Sequence, residues 1–562
     1  MEYKKIYEDW INNPIYDEET KKELINLTDE DEIKDRFYQN LEFGTAGLRG
    51  IIGAGTNRMN KYTVGLATQG FAQTILKRGS EAANKGVAIC YDVRHKSKEF
   101  SELAASIFAA NGIKVYIYPD INPTPVLSYT IRQLKTIAGV MVTASHNPRD
   151  YNGYKAYWEE GSQILEDIAD EILSEIEHLD GFESVKMMPF EDGLKDGIIE
   201  YIDDAVYDSY IDDVLNYAIN EDIDKSVNIV YSPLNGTGNI PVREVLDKRG
   251  FDNVHIVKEQ ENPDPDFTTV GYPNPEDPKA FKLAIELGKE VGADLLLATD
   301  PDCDRAAIEV LNKDGEYEFL NGNKIGALLI NYILSQRSKL GNLPENGVIV
   351  KSIVTGDLSR AIADEYKVEV VETLTGFKNI SGKANEYDIN GEKEFLFGYE
   401  ESIGYTYGDS VRDKDAVNSS MMIAEMAGYY KSQNKSLLEV LNELYDKHGY
   451  YNEELISIVL TGLDGQQRIG RIMEEFRKNP IDDFNGIKLT KIIDFLNDET
   501  GNPKSNVLKY YLEDGSWFAL RPSGTEPKIK LYIYTIGKNL EESLEKIKTI
   551  KELGTSKIES VK

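Results

Sequence analysis

The sequence has little cysteine, no long apolar run and a deficit of positive charge. Only two cysteines, Cys90 and Cys303, occur in 562 residues, and they lie far apart along the chain. A structural disulfide is therefore not expected, and a reducing cytoplasm is the simplest compartment. The start of the chain is charged and lacks the apolar core of a secretory signal. No segment approaches the roughly 18 apolar residues of a membrane span.

The charge balance is strongly acidic. Asp and Glu outnumber Lys and Arg by 97 to 63, which gives a formal net charge of -34. Nucleic acid and anionic membranes require a basic face, so neither is expected as a partner. The same field repels an anionic small molecule, and a site for one must concentrate positive charge locally.

Strand-like apolar runs alternate with helix-like segments over most of the chain, as at residues 87–91, 138–142 and 293–298. This alternation predicts α/β units with mixed or parallel sheets, and functional loops are expected at the carboxyl ends of the strands. The last hundred residues are instead typical of an α+β unit. We predict four domains, with an amphipathic helical extension at the start of the first. Their ranges are 1–205, 206–322, 323–450 and 451–562.

Three aspartates follow one of the apolar strand-like runs. Asp300, Asp302 and Asp304 are spaced by two residues, which sends their carboxylates to one side of an extended loop. Hard oxygen ligands with an open coordination position suit a magnesium ion that also contacts a phosphate. A solvated acidic turn is the alternative, and it is less favoured because the loop ends in Arg305. A calcium-binding EF-hand is excluded, since its sixth and twelfth positions hold Arg305 and Leu311 instead of Gly and Glu.

A serine follows another buried strand-like run. The hydroxyl of Ser145 is a candidate nucleophile, which needs a base or a metal for activation. Residues 152–155 are predicted to form a tight turn that brings Lys155 back towards it. His146 is either a hydrogen-bonded structural imidazole or a catalytic group. The histidines and cysteines do not have the spacing of zinc ligands.

Two later loops are typical of sugar and phosphate recognition. Glu400 and Ser402 lie between two glycines, and a carboxylate there can accept hydrogen bonds from sugar hydroxyls. Paired carboxylates also serve glycosidases, but the neighbouring phosphate-binding patterns favour sugar binding. In the second loop a guanidinium, hydroxyls and a glycine match a phosphate dianion. These candidates are Arg521, Ser523, Gly524 and Thr525.

Three weaker signals complete the candidate site. Lys414 can add positive charge for the same ligand, and Thr375 with Gly376 forms a second close-approach turn. Arg49 lies in a glycine-rich loop that resembles a phosphate cradle. That loop lacks the Gly-Lys-Ser/Thr ending of a nucleotide-binding P-loop.

Taken together, these motifs resemble those of the α-D-phosphohexomutases, in the same order and over essentially the whole chain. The resemblance is closest to the phosphoglucomutase and phosphopentomutase branch, which has a helical amino-terminal extension. It implies three related α/β domains plus a smaller carboxyl-terminal α+β domain around a central cleft.

The resemblance also implies a role for each candidate residue. Ser145 carries a phosphoryl group and, with the three aspartates, holds Mg²⁺, while Arg305 neighbours the phosphate. Some relatives have a histidine where this chain has Gly404 or Tyr405. Proton transfer is therefore expected from Lys155, with His146 or Arg49 contributing. The residues expected to bind substrate are Thr375, Gly376, Glu400, Ser402, Lys414, Arg521, Ser523, Gly524 and Thr525.

The implied reaction is a double phosphoryl transfer. The phosphoserine gives its phosphoryl group to a sugar monophosphate, the resulting glucose 1,6-bisphosphate turns within the site, and the serine accepts the other phosphoryl group. Glucose 1-phosphate and glucose 6-phosphate are the expected partners, bound by a monomer or a homodimer. A phosphopentomutase acting on ribose or deoxyribose phosphates, a glucose 1,6-bisphosphate synthase and a non-enzymatic cation-binding protein remain alternatives.

Overall fold

The computed structural model describes residues 2–45, 47–460, 462–497, 500–523 and 528–562, and of residues 462–464 only the backbone. The chain divides into two compact units. The first comprises Met1–Gly322 and Phe377–Asn434, and the second comprises Asn323–Gly376 and Lys435–Lys562. Within the described ranges, we find no helix with the length and apolar content needed to cross a membrane.

Helices are spread over the whole chain. They are α1 (Glu2–Asn12), α2 (Glu18–Ile25), α3 (Glu30–Phe37), α4 (Lys61–Leu76), α5 (Ser80–Lys85), α6 (Ser97–Ala110), α7 (Thr124–Leu134), α8 (Glu166–Glu177), α9 (Phe190–Asp196), α10 (Asp204–Asn216), α11 (Asn239–Lys248), α12 (Lys282–Val291), α13 (Gly322–Leu340), α14 (Leu358–Glu365), α15 (Phe377–Asn390), α16 (Ala416–Lys431), α17 (Leu437–His448), α18 (Gly462–Lys478) and α19 (Leu540–Ser560).

Strands alternate with these helices until the last part of the chain. They are β1 (Leu48–Ile51), β2 (Val87–Tyr91), β3 (Val115–Ile117), β4 (Ala138–Val142), β5 (Tyr151–Trp158), β6 (Ile199–Tyr201), β7 (Ile229–Ser232), β8 (Val254–Ile256), β9 (Leu295–Thr299), β10 (Ala306–Leu311), β11 (Tyr317–Leu320), β12 (Gly347–Ser352), β13 (Glu369–Thr373), β14 (Glu394–Glu400), β15 (Gly404–Tyr407), β16 (Tyr450–Val459), β17 (Asp483–Phe484), β18 (Ile487–Asp494), β19 (Leu508–Leu512), β20 (Trp517–Pro522) and β21 (Lys528–Gly537).

The first unit contains two mixed sheets and a hairpin. Its six-stranded sheet has the order β1-β5-β4-β2-β3-β6, and its five-stranded sheet has the order β11-β10-β9-β7-β8. β2, β4 and β9 are buried at every position, as expected for strands of a parallel core covered on both faces. β14 and β15 pair as an antiparallel hairpin. The α/β class predicted from the sequence is therefore confirmed.

The amino-terminal extension consists of α1, α2 and α3. Its core is an aromatic cluster around Trp10, which is 3% exposed. The indole stacks on Tyr16 at 4.2 Å and meets Phe37 and Tyr62 edge-on at 5.6 and 5.3 Å between ring centroids. Because Tyr62 belongs to α4, the cluster attaches the extension to the α/β part of the first unit.

The second unit contains the parallel pair β12–β13 and a six-stranded antiparallel sheet of order β16-β21-β20-β19-β18-β17. The side chains of α18 and α19 join the apolar core of this sheet, with Phe476 and Ile550 among them. Helices packed on an antiparallel sheet form the α+β architecture that we predicted for the end of the chain. The four predicted domain ranges stay predictions.

The turn predicted at residues 152–155 is wrong, because these residues lie in β5. This strand runs antiparallel to β4, with Met141 opposite Lys155. A Cβ atom on Gly153 would lie 2.5 Å from the Thr143 carbonyl oxygen, so the glycine permits close packing between strands rather than a turn. The side-chain amide of Asn152 donates to the carbonyl of His95, in the segment between β2 and α6, at 2.8 Å.

Replacing Trp10 by alanine should loosen the amino-terminal extension. The loss of a buried aromatic side chain typically costs about 3–5 kcal/mol through lost transfer energy and an unfilled cavity. Hydrogen exchange of the amides of α1–α3 should report a local opening free energy lowered by that amount. The matched control is Tyr38→Ala, since Tyr38 is 54% exposed beside the same helices; equal effects from both substitutions would contradict a packing role for the indole.

Candidate active site

Ser145 follows β4 directly and is held in an unusual backbone conformation. Its φ angle of 51° lies in the left-handed region, which costs a non-glycine residue about 1–2 kcal/mol. The backbone amide donates to Thr143 Oγ1 at 2.8 Å, and the side-chain Oγ donates to Asp300 Oδ2 at 2.8 Å. The strained loop thus aims the candidate nucleophile at the first of the three aspartates.

The aspartate loop connects β9 to β10. Asp300 Oδ1 accepts hydrogen bonds from the amides of Asp304 and Arg305 at 3.1 and 3.0 Å, which curls the loop around this carboxylate. Ligand oxygens of Asp300, Asp302 and Asp304 all lie within 4.8 Å of one another, and the three side chains are buried. This group, called the acidic triad below, is the only set of that kind in the described ranges.

Two lysines offset the charge of the acidic triad. Lys155 Nζ contacts Asp302 Oδ2 at 2.7 Å and Asp304 Oδ2 at 3.3 Å. Lys414 Nζ contacts Asp304 Oδ2 at 2.9 Å. The path of Lys414 requires Gly404, because a Cβ atom there would lie 2.2 Å from Lys414 Cδ.

Arg305 adds a third positive charge. Its Nε lies 3.9 Å from Asp304 Oδ1, and its NH1 lies 3.7 Å from Glu276 Oε2. With Lys155 and Lys414, it gives this otherwise acidic protein a local concentration of cationic groups. These cations offset the carboxylates around them, which reduces the repulsion that the net charge of the whole chain exerts on an anionic ligand.

The three carboxyls of the triad have unequal affinities for a proton. Burial, reinforced by Asp302 and Asp304, raises the pKa of Asp300 well above its usual value. Burial alone would also raise the pKa of Asp302, but the Lys155 ammonium outweighs it and lowers that pKa. The pKa of Asp304 is likewise lowered, because the two lysines outweigh burial and the repulsion from Asp302. Asp300 is therefore the carboxyl that most lacks a compensating positive charge.

The triad fits a divalent cation. Asp302 Oδ1 and Asp304 Oδ1 are buried and have no hydrogen-bond partner in the described part of the chain. A buried carboxylate oxygen without a hydrogen bond is costly unless a cation completes its environment. Three hard oxygen donors around one point are the ligands that Mg²⁺ prefers. The triad can thus hold a metal ion beside the Ser145 hydroxyl.

His146 and Arg49 also lie beside the serine. His146 Nδ1 is 3.4 Å from Ser145 Oγ. Burial, together with Arg305 and Arg49, lowers the pKa of His146 well below its usual value, so the imidazole is neutral. Arg49, on β1, donates from NH1 to Asn147 Oδ1 at 3.2 Å. At neutral pH the His146 imidazole therefore offers hydrogen bonds but carries no positive charge.

Lys155 is held as a charged ammonium. Burial lowers its pKa, but Asp302 and Asp304 outweigh this effect and raise it. Lys414 follows the same pattern, since Asp304 and Asp413 outweigh its burial. Both amines therefore carry a proton at neutral pH.

Two residues at the site escaped the sequence analysis. Thr124, at the start of α7, donates from Oγ1 to Asp302 Oδ2 at 2.9 Å and from its amide to the Asp302 carbonyl at 2.9 Å. Asp413 contacts Lys414 Nζ at 3.1 Å and accepts hydrogen bonds from Tyr157 and Gln163. Neither residue has a local sequence signal, because only the sheet packing brings its segment to the triad.

The remaining predicted residues fall into two groups. Glu400, at the end of β14, is buried, and its charge acts on both Arg305 and Lys414, so it belongs to the same site in the first unit. Ser402 follows in the turn between β14 and β15.

The other substrate-binding candidates belong to the second unit. Thr375 and Gly376 follow β13, and Gly376 has a φ of 112°. Arg521 lies at the end of β20 and is partly exposed, and the amide of Ser523 donates to the Lys528 carbonyl at 2.8 Å. Gly524 and Thr525 lie outside the described residues.

Four domain profiles of one protein family match the chain in order. They describe phosphoglucomutase/phosphomannomutase alpha/beta/alpha domains I, II and III and the C-terminal domain. The matched residues are 40–181, 208–313, 321–448 and 470–546.

Curated relatives are similar over nearly the whole chain. A phosphoglucomutase of Staphylococcus haemolyticus is 37% identical over 90% of this chain and 92% of its own length. A phosphoglucomutase of Staphylococcus epidermidis is 37% identical over 93% of this chain and 95% of its own length.

Solved structures share the fold at lower sequence identity. A phosphoglucomutase/phosphomannomutase family protein from Burkholderia thailandensis is 18% identical with a TM-score of 0.69, covering 92% of this chain and 98% of its own. The open form of parafusin, a phosphoglucomutase from Paramecium, is 17% identical with a TM-score of 0.69, covering 93% and 95%.

Divalent cations should stabilise the protein through the acidic triad. Mg²⁺ at 100 times its dissociation constant should add about 2.7 kcal/mol to the free energy of unfolding, because only the folded chain gathers the ligands. Asp302→Asn should remove this increment, whereas Asp314→Asn, at an exposed turn, should keep it. Thermal unfolding and calorimetric titration after dialysis against EDTA would measure both; equal Mg²⁺ affinity in the two variants would contradict the assignment.

Proposed function

The chain belongs to the phosphoglucomutase/phosphomannomutase family, and we propose that it interconverts glucose 1-phosphate and glucose 6-phosphate through a phosphoserine at Ser145. The prediction of a phosphoglucomutase, an isomerase that transfers a phosphoryl group within a sugar, is confirmed by the names of the curated relatives. The observation that carries the proposed mechanism is the 2.8 Å contact of Ser145 Oγ with the acidic triad, beside two buried ammonium groups.

Phosphoryl transfer suits this arrangement, because it needs positioning and charge compensation more than a strong base. Lys155, Arg305 and Lys414 supply positive charge where the equatorial oxygens of a phosphoryl group would carry negative charge. Asp300, Asp302 and Asp304, with an oxygen on Ser145, would hold Mg²⁺, which supplies Lewis-acid stabilisation of that charge when bound.

Each half-reaction exchanges one phosphorus–oxygen bond. In the first, the bond between phosphorus and Ser145 Oγ breaks, a bond to the oxygen of the free sugar hydroxyl forms, and the hydroxyl proton replaces the proton delivered to Ser145 Oγ. In the second, the other phosphoryl group of glucose 1,6-bisphosphate passes to Ser145 Oγ, and the serine proton replaces the proton delivered to the leaving sugar oxygen. We assign proton delivery to Lys155, whose charged, buried ammonium lies beside the triad, with His146 and Arg49 contributing hydrogen bonds.

Candidates for substrate binding occur in each of the two units, taken separately. Glu400 and Ser402 would accept hydrogen bonds from the sugar hydroxyls, and Lys414 would meet a phosphate. Guanidinium and hydroxyl groups at the end of β20 match the substrate's own phosphate. The candidates of the second unit are Thr375, Gly376, Arg521 and Ser523, with Gly524 and Thr525 of the same loop. A monomer or homodimer in the cytoplasm, without nucleic acid or membrane partners, remains a prediction.

Ser145→Ala should abolish mutase turnover. After incubation with glucose 1,6-bisphosphate, intact-mass analysis of the wild-type protein should show one added phosphoryl group, and the variant should show none. Ser432→Ala, at an exposed position, should keep both the added mass and the turnover. Full turnover by Ser145→Ala would end the phosphoserine mechanism. Turnover that requires an external phosphoryl donor, with no interconversion, would instead identify a bisphosphate synthase.

The wild-type protein should have a higher kcat/KM for glucose 1-phosphate than for ribose 1-phosphate. Glu400→Gln should lower the value for glucose 1-phosphate roughly 10- to 100-fold, because a hydrogen bond to a charged group is worth about 1.5–3 kcal/mol. Glu394→Gln, at the exposed start of the same strand, is the control and should have no effect. A preference for ribose 1-phosphate would make the protein a phosphopentomutase.

A further inference from the structure

Arg94 lies in the segment between β2 and α6, and none of its atoms takes part in the mechanism described above. Its side chain is almost completely buried, with 3% of the residue exposed. The guanidinium donates to four backbone carbonyls of the segment that carries the candidate nucleophile. These are the carbonyls of Ser145 and Asn147, both at 2.5 Å, of Pro148 at 2.8 Å and of Tyr151 at 3.1 Å.

Through these contacts, the single side chain of Arg94 fixes the loop between β4 and β5. The four carbonyls run from the serine to the first residue of β5, so a single planar group sets their relative positions. A guanidinium offers five donors in a rigid fork, whereas an ammonium offers three around one point. The cation is placed by Asp92, whose Oδ2 lies 3.3 Å from Arg94 Nε, and by the ring of Phe267, which lies 5.0 Å from the guanidinium carbon.

The segment between β2 and α6 also fixes the backbone N–H of Ser145, through Asp92. Asp92 Oδ2 accepts a hydrogen bond from Thr143 Oγ1 at 2.6 Å, and Thr143 Oγ1 accepts one from the Ser145 amide at 2.8 Å. The N–H of Ser145 is therefore held by Asp92 through Thr143, and its C=O is held by Arg94. A non-glycine residue stays in the left-handed region only when its surroundings over-determine it, and these contacts meet that condition.

We propose that Arg94 is a positioning residue for phosphoryl transfer: by binding four carbonyls, it holds Ser145 in the left-handed conformation that aims Oγ at the acidic triad. This inference rests on the proposed function, in which Ser145 gives and accepts a phosphoryl group in successive steps. The hydroxyl must return to the same place for both steps. A displacement of the reacting atom by about 1 Å can cost roughly 100-fold in rate.

The test is Arg94→Lys, which keeps the charge but cannot span four carbonyls. We expect kcat for glucose 1-phosphate to fall about 100-fold, with KM within about twofold, because the sugar and phosphate contacts are unchanged. Hydrogen exchange of the amides in residues 143–151 should become faster than in the wild-type protein. This second readout does not depend on catalysis.

The matched control is Arg249→Lys. Arg249 is also nearly buried, at 5% exposed, and its guanidinium binds Glu221, Glu425 and the Asn220 carbonyl, away from the serine loop. Thermal unfolding should show a loss of stability for both lysine variants. Only Arg94→Lys should lose kcat and protection of residues 143–151.

The outcomes separate a positioning role from a general structural one. Normal kcat or unchanged exchange of residues 143–151 in folded Arg94→Lys would overturn the proposal, as would equal kcat losses in the two variants. If Arg94→Lys does not fold, Thr143→Val, which removes the hydroxyl that binds the Ser145 amide, decides by the same two readouts. If the wild-type protein has no mutase activity, the proposed function fails, and the exchange data alone decide whether Arg94 holds the loop.

Discussion

The burial of three carboxylates in one place is the constraint on which the rest of the site depends. Asp300, Asp302 and Asp304 bring ligand oxygens within 4.8 Å of one another inside a protein of net charge -34. Such a cluster is stable only when positive charge is supplied from outside the loop. Lys155 supplies it from β5 and Lys414 from the segment before α16, and two carboxylate oxygens still have no hydrogen bond. The excess negative charge of the triad is partly offset by the two lysines, and what remains favours the binding of a metal ion.

The sheets explain how distant segments reach that cluster. β4 and β9 belong to different sheets of the first unit, and each ends in a loop that carries reactive groups, as expected at the carboxyl ends of strands in α/β folds. Ser145 Oγ and Asp300 meet at 2.8 Å although 155 positions separate them in sequence. Close approach between segments also depends on glycines, since Gly404 leaves the space through which Lys414 passes.

Some features were missed or misjudged because their local sequence is ambiguous. Asn-Gly ordinarily signals a turn, but Asn152 and Gly153 lie in β5. There the Asn152 side chain donates to the His95 carbonyl, and neighbouring backbone carbonyls leave no room for a Cβ atom on Gly153. Arg94 has no local sequence signal, because one arginine after a strand is usually a surface residue. Its importance arises from four carbonyls whose convergence cannot be derived from residue types.

The sequence by itself determined the α/β class, the buried strands and the candidate loops of the site, because apolar runs and motif spacing are local properties of the chain. It also determined that an anionic ligand would need a local cluster of cations. Only the tertiary structure decided which residues those cations are and whether each titratable group of the site is protonated. Pairing of Lys155 with Asp302, the neutral state of His146 and the strained serine all result from burial and from contacts between segments distant in sequence. Burial and long-range contact appear only when the sheets have formed.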